Sequence, residues 1–430
     1  LQGATAKRWL LQGGVDLGGQ PHFLLGMYGV RLEDLPEMAA AGIDFVHNYT
    51  WDGTGTHETA LAYLDACQQR GLQAFIGFDR ARLQAEDEDF VAERVARLSH
   101  HPALLAWYLF DEPDLPHQYV PPDQLRRLYA LIHRLDPLHP VIVTVAQGPR
   151  MPEYHDSYDV YWSMDYGTPA RNLTNFEYHR SQLRPEVPLM SIVHCYDGNQ
   201  RRGRGQTFDP AAFQPTPAQM QACAFMQIVH GSSGLCWWWW GQGSDIFMTV
   251  AHVPAAWAGL KETIRQIRAL RPALEAPGPV RTWVEKIGED QEVHCWEKTL
   301  PERTLVIAVN RQPALRGHPR FPGAARIGVG ALRGPRGAGH GGPDHGPVCG
   351  LGRACIRGAL SGEHAVPMTV TSQPWLHPDA PSGVEKLTYT SPVDGREDWV
   401  LARRPAAGRA WVVHLHGSGM LPWLDAQLGL

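Results

Sequence analysis

The chain has 430 residues, 43% apolar and 19% charged, enough for one large domain and a smaller one with a buried core. A net charge of −5 gives no support to a nucleic-acid partner, and no apolar run is long enough to span a membrane. Seven cysteines without a CxxC pair argue against a zinc or thioredoxin-like centre; a disulfide between some of them stays open.

From about residue 20 to 270, short apolar runs alternate with helical patterns. Candidate strands are Phe23–Met27, Ile43–Asn48, Leu72–Phe78, Leu104–Phe110, Val141–Val145, Tyr158–Met164, Leu189–His194 and Gly234–Trp240. Helical runs such as Leu32–Ala41 and His57–Gln69 end just before Gly42 and Gly71, a usual helix stop. Eight strand–helix units in about 250 residues is the rhythm of a (β/α)8 TIM barrel. The doubly wound open sheet lacks its GxGxxG after the first strand.

Past Pro277 the pattern changes. Val280–Lys286, Glu292–Lys298 and Leu305–Asn310 read as antiparallel strands. The expected architecture is α/β: a TIM barrel over 1–275, with a small C-terminal antiparallel β domain at 276–312. Residues 313–360 hold thirteen Gly and seven Arg, no Lys, and one acid, Asp344, so no packed core is expected there. A flexible linker and an unselected, frame-shifted stretch are both open readings. Strand character resumes in 361–430, at Lys386–Thr390, Asp398–Arg403 and Ala410–His416.

The chemistry concentrates at the carboxyl ends of the barrel strands, where a parallel barrel does its work. Strand four runs Ala106-Trp107-Tyr108-Leu109-Phe110 into Asp111-Glu112-Pro113-Asp114, and Pro113 cannot continue a ladder. The plainer account is a solvated turn whose acids favour the next helix N-terminus. The other strand ends offer His47, Asn48 and Trp51; Asp79 and Arg80; Asp165 and Tyr166; His194, Tyr196 and Asp197; and Trp239 and Trp240. An exposed Asp after a strand is usually a turn residue or cap, but so many polar ends on one rim suggest a site. Aromatic walls and neighbouring carboxylates would keep Glu112 protonated near neutral pH. Alternation along the strand points Asp111 and Glu112 to different sides. Fifteen Trp fit a sugar cleft, and fit core packing equally well. No HExxH or comparable His–Asp spacing suggests a metal, and no cofactor motif occurs.

The barrel resembles the large retaining clan of glycoside hydrolases that includes β-galactosidases and cellulases. The resemblance rests on Asp111-Glu112-Pro113, on His101-Pro102-Ala103-Leu104-Leu105-Ala106-Trp107-Tyr108 before it, and on the tryptophans ending strand eight; it covers about residues 20–312. It implies Glu112 as general acid and Trp239 or Trp240 as the clan's strand-eight tryptophan. The chain departs from the clan at strand seven, where Ser191-Ile192-Val193-His194-Cys195-Tyr196-Asp197 holds no Glu. Glycosidic cleavage ordinarily uses two carboxyl groups, so the expected partner is Asp165, with Asp197 next and Asp79 behind them. The expected substrate-binding set is His47, Asn48, Trp51, Asp79, Arg80, Asp111, Tyr166, His194, Tyr196, Trp239 and Trp240.

The expected function is hydrolysis of a polysaccharide or oligosaccharide. The alternative is a noncatalytic carbohydrate-binding barrel. Near the C-terminus, Val412-Val413-His414-Leu415-His416-Gly417-Ser418-Gly419 resembles the early strand of an α/β-hydrolase, whose backbone amides serve an oxyanion hole. No GxSxG follows, so a fused esterase fragment and a plain β-hairpin both remain open. A carbohydrate partner, no nucleic acid and no membrane are expected, with the oligomeric state open. A secreted or periplasmic setting is inferred from the function alone; the start at Leu1 fits a removed leader or a trimmed end equally.

Overall fold

The structure, a computed structural model, describes residues 6–53, 55–201, 207–241, 246–287, 291–301, 304–311, 327–331, 370–374, 384–390, 397–403 and 411–413. It forms two compact units: the first runs to Pro277 and takes in Arg311 as well, and the second begins at Gly278.

The first unit is a closed barrel of eight parallel strands. They are β1 (Leu25–Met27), β2 (Phe45–Val46), β3 (Gln73–Gly77), β4 (Leu104–Asp111), β5 (Val141–Thr144), β6 (Val160–Asp165), β7 (Leu189–His194) and β8 (Leu235–Trp238). Neighbours in sequence are neighbours in the barrel, and β8 closes on β1 through the pairs Leu235–Leu25 and Trp237–Met27. Helices between the strands start where the sequence supplies caps. Thr56 accepts from the Thr59 amide ahead of His57–Gln68, and Thr168 accepts from the Arg171 amide ahead of Pro169–Gln182. Thr216 and Gln219 form a capping box before Pro217–Val229.

Alternate residues of the strands fill the barrel. Phe45, Phe75, Tyr108, Ile142, Val160, Trp162, Ile192 and Cys236 belong to one buried cluster. Burying such side chains is worth about 1.5–3 kcal/mol each. Gly26 of β1 is needed here, because a Cβ on it would stand 2.2 Å from the Phe45 ring. A short antiparallel sheet of Lys7–Trp9, Val15–Leu17 and Pro21–His22, absent from the expected elements, adds Trp9 and Val15 to the same cluster. Trp9 meets Trp162 edge-on at 6.0 Å. The five described cysteines, Cys67, Cys195, Cys223, Cys236 and Cys295, are buried free thiols. No helix among the described residues is long and apolar enough to cross a membrane.

The second unit contains two antiparallel sheets of four strands. One joins Val280–Ile287, Gln291–Thr299, Thr304–Asn310 and Ile327–Ala331. The other joins Val370–Pro374, Val384–Thr390, Glu397–Arg403 and Trp411–Val413. Ile327–Ala331 is the described part of the Gly- and Arg-rich stretch, and it pairs with Thr304–Asn310 from Leu305–Ala331 to Val309–Ile327. The remainder of 313–360, and the His414–Gly419 part of the hydrolase-like motif, lie outside the described residues.

Candidate active site

β4 is buried along its length until Asp111, and its pairing with β5 carries an irregularity near the end. Tyr108 faces Ile142, but Phe110 faces Val143, so one extra residue is inserted. Such a bulge re-aims the side chains beyond it. Tyr108 belongs to the barrel interior, and simple alternation would turn Asp111 to the other face. Instead Asp111 Oδ1 accepts from the Tyr108 hydroxyl at 2.7 Å and from Thr144 Oγ1 at 2.8 Å. Asp111 Oδ2 pairs with Arg80 Nη2 at 3.2 Å.

Glu112 comes next with φ +57°, a left-handed conformation uncommon for a residue with a Cβ. Its amide donates to the Thr144 carbonyl at 3.1 Å. Its carbonyl accepts from Gln118 Nε2 at 3.1 Å, and the Asp111 carbonyl accepts from the same nitrogen at 2.6 Å. Gln118 Oε1 in turn accepts from Arg80 Nη1 at 2.9 Å. The acids expected on different sides therefore stand together, because the bulge and the left-handed residue override alternation. Both charges reach the hydroxyl of Tyr166. Burial first, then Tyr49, Tyr196, Asp111 and Glu112, push that phenol well above its usual pKa.

The Glu112 carboxyl makes no hydrogen bond to protein among the described residues. Burial, then Asp111 and Asp114, raise its pKa to about 7, against the pull of Arg80. That rise lets the carboxyl hold its proton closer to neutral pH, as an acid catalyst needs. Asp114 serves the loop, accepting from the Ala146 and Gln147 amides at 2.9 and 2.8 Å.

An aromatic wall faces this corner. Tyr166, His194, Tyr196 and Trp238 lie within 4.6–6.2 Å of one another in successive ring contacts. Trp238 Nε1 donates to the Tyr49 hydroxyl at 2.7 Å, and its ring stacks on Trp239 at 5.4 Å. A cis peptide joins Trp238 and Trp239. Gly29, at φ +68°, leaves room for Trp239; a Cβ there would stand 2.6 Å from the ring. Burial pushes the His194 pKa down to about 4 against the charge of Asp197, so the ring is neutral. Its Nδ1 accepts from the Gly167 amide at 3.4 Å, which leaves the proton on Nε2 as a donor.

The expected residues divide between the mouth and elsewhere. Asp111, Arg80, Tyr166, His194, Tyr196 and Trp239 gather with Glu112 or along the aromatic wall. His47 lies beneath, fully buried and stacked on Phe75 at 4.4 Å. Asn48 is a structural tie, donating to the Val30 carbonyl at 3.1 Å and accepting from the Thr50 amide. Trp51 packs on Tyr63 of helix His57–Gln68, and Trp240 on Trp257 of helix Pro254–Leu274. Asp79 caps helix Arg80–Gln84 by accepting from the Arg82 amide at 3.0 Å.

Neither acid expected as the partner is presented to Glu112. Asp165 is fully buried against the helix layer. Its Oδ2 accepts from Ser163 and Ser191, each at 2.5 Å, and its Oδ1 lies 3.4 Å from His179 Nδ1 on helix Pro169–Gln182. The cause is strand parity: Trp162 faces the barrel interior, so Asp165 three residues on faces out. Asp197 is buried on the short strand Tyr196–Arg201, opposite Met248 of Phe247–Thr249, and accepts from the Asn199 amide, Gln200 Nε2 and the Gln214 amide at 2.9–3.0 Å. The acids Asp52 and Asp245 have side chains outside the described residues.

Sequence reasoning left Tyr49, Tyr108 and Trp238, all at strand ends or beside Glu112, out of the expected binding set, and passed over Gln118 and Thr144. Gln118 sits seven residues past Asp111 in a loop without periodicity, so nothing in the sequence signals it. Trp238 was within reach: it shares parity with Cys236, whereas Trp240 lies beyond the strand's end. Among the described residues no cluster of three or more His, Cys, Asp or Glu is arranged to hold a metal.

No protein-family profile matches the chain, and no curated protein does. Solved structures similar to it include a β-galacturonidase from Eisenbergiella tayi, at 12% identity and TM-score 0.46, covering 61% of this chain and 54% of that one. A β-galactosidase from the psychrophilic Marinomonas ef1 shares 12% identity at TM-score 0.44, with 59% and 61% covered. A β-glucuronidase from an uncultured Clostridium sp. shares 12% identity at TM-score 0.45, with 61% and 53% covered. The chain thus spans little more than half the length of these proteins.

Proposed function

We propose that the barrel is a glycoside hydrolase in which Glu112 is the general acid. One observation carries the reading. A carboxyl at the carboxyl end of β4, uncommitted to any protein donor among the described residues, is held at a pKa of about 7 beside an aromatic wall. Apolar ring faces suit the C–H faces of a sugar, and Arg80, His194 and Tyr196 supply donors for its hydroxyls. A protonated Glu112 would deliver its proton to the glycosidic oxygen as the bond breaks. An oligosaccharide or polysaccharide substrate goes with a secreted or periplasmic setting. The purified protein, screened on aryl glycosides and polysaccharides, should cleave at least one class, and Glu112→Gln should lose on the order of 10²-fold or more on substrates with poor leaving groups.

A second reading has a specific observation in its favour. Asp165 and Asp197 are both consumed by internal hydrogen bonds. A barrel that binds carbohydrate without cleaving it needs no second carboxylate. Saturable binding of an oligosaccharide without turnover in the same screen would favour it.

A further inference from the structure

Among the described residues, the second carboxylate of this mouth stands beside Glu112 rather than across from it. β7, Leu189–His194, carries no acid, and the expected partners are spent on internal bonds. Breaking a glycosidic bond leaves positive charge at C1, which must receive an electron pair. Where the protein offers none, the substrate can: the carbonyl oxygen of an acetamido group on C2 reaches C1 from the face opposite the leaving group. That step needs an acceptor for the amide N–H, placed next to the acid and held firmly.

Asp111 meets those needs. Its Oδ1 is fixed by Tyr108 and Thr144, while Oδ2 has Arg80 at 3.2 Å as its one partner among the described residues. A carboxylate oxygen has room for a further donor. The side chain is 16% exposed, so it is open to the mouth yet braced from behind. The inserted residue in β4 and the left-handed Glu112 bring the two carboxyl groups to the same corner. Tyr166, Tyr196, Trp238 and Trp239 offer an apolar surface for the acetamido methyl.

We propose that the substrate carries a 2-acetamido group on the sugar at the scissile bond, that its carbonyl oxygen is the nucleophile, and that Asp111 accepts its N–H. This rests on the glycosidase reading. Glu112 gives its proton to the glycosidic oxygen, and the electron pair of the C1–O bond leaves with that oxygen. A lone pair of the amide carbonyl forms a new bond to C1, giving an oxazolinium ring whose N–H stays on Asp111. Water then attacks C1 while the Glu112 carboxylate takes its proton. The ring C1–O bond breaks and its pair restores the amide. One water is consumed, and the anomeric configuration is retained.

The test compares 1,2-trans aryl 2-acetamido-2-deoxyhexosides with their 2-hydroxy counterparts, then a series in which the acetyl methyl is mono-, di- and trifluorinated. Fluorine withdraws electron density from the carbonyl oxygen. The proposal expects cleavage of the acetamido substrates and a fall in kcat/KM with each fluorine. Asp111→Asn, assayed below its own Tm, should lose most of the acetamido activity; full activity in that variant would overturn the role of Asp111. Cleavage of 2-hydroxy glycosides alone, or a flat fluorine series, would overturn the proposal and leave the glycosidase reading standing. Cleavage of neither class would defeat both.

Discussion

Gln118 Nε2 donates to the carbonyl oxygen of Glu112 at 3.1 Å, and so holds a left-handed residue in place from six positions along the chain. The same nitrogen holds the Asp111 carbonyl, and the amide oxygen holds Arg80. One side chain thus ties together the acid, its neighbour and the cation that moderates them. Gln118→Ala should leave Glu112 free to relax to ordinary φ and displace its carboxyl. We expect kcat to fall by roughly tenfold to a hundredfold, with a smaller effect on KM, since a misplacement of about 1 Å is enough to cost that much. Steady-state kinetics of the variant check this.

Glu112 sets a pH dependence with a defined sign. Its folded pKa of about 7 lies above the ordinary 4.5. The acid form is needed for proton delivery, so kcat/KM should fall as pH rises through about 7. Stability moves in the same direction: the contribution of Glu112 is fully present below about 4.5 and is lost as pH rises through about 7. Melting curves from pH 4 to 9 should show that loss in the wild type and not in Glu112→Gln.

The neighbours of Glu112 should move this limb in opposite directions. Arg80 pulls the pKa down and Asp111 pushes it up. Arg80→Gln should therefore shift the basic limb of kcat/KM to higher pH, and Asp111→Asn should shift it lower. Residual activity of each variant, measured against pH, reads both shifts.

Asp165 should matter to folding rather than chemistry. Its carboxylate is closed in by Ser163, Ser191 and His179 behind the strands. Asp165→Asn should cost about 1–3 kcal/mol of stability, the usual range for disturbing a buried, hydrogen-bonded charge. kcat should stay within about twofold of wild type below the lowered Tm, because no barrier term is removed. Urea unfolding and kinetics on one preparation separate the two effects.

Gly29 guards the position of Trp239. An added Cβ meets the indole at 2.6 Å on a backbone at φ +68°. Gly29→Ala should cost on the order of 1–3 kcal/mol through the positive φ alone. It should also displace the ring and raise KM for any ligand resting on it. Thermal melts and ligand titration by tryptophan fluorescence provide the readouts.

The barrel was legible because its strands announce themselves as apolar runs between capped helices. Asp111-Glu112-Pro113 marked the end of β4 for the same reason: an apolar strand cannot continue through Pro113. Backbone irregularity hid the rest of this corner. A residue inserted between Tyr108 and Phe110 and a left-handed Glu112 reverse the facing that strict alternation assigns. Asp165 differs, because its parity was readable. Three residues separate it from the inward Trp162, which turns it outward despite its place at a strand end. Trp51 and Trp240 sit just past the strands, where alternation no longer indicates direction. Gln118 belongs to a loop whose partners are fixed only by the tertiary fold.

The central claim is that Glu112 protonates a departing glycosidic oxygen. It is tested most directly by the leaving-group dependence of Glu112→Gln against wild type. The account predicts that the variant loses on the order of 10²-fold or more on alkyl or sugar leaving groups, which need the proton. Dinitrophenyl leaving groups, which do not, should depart at close to the wild-type rate. Equal turnover of an unactivated glycoside by both proteins would contradict it.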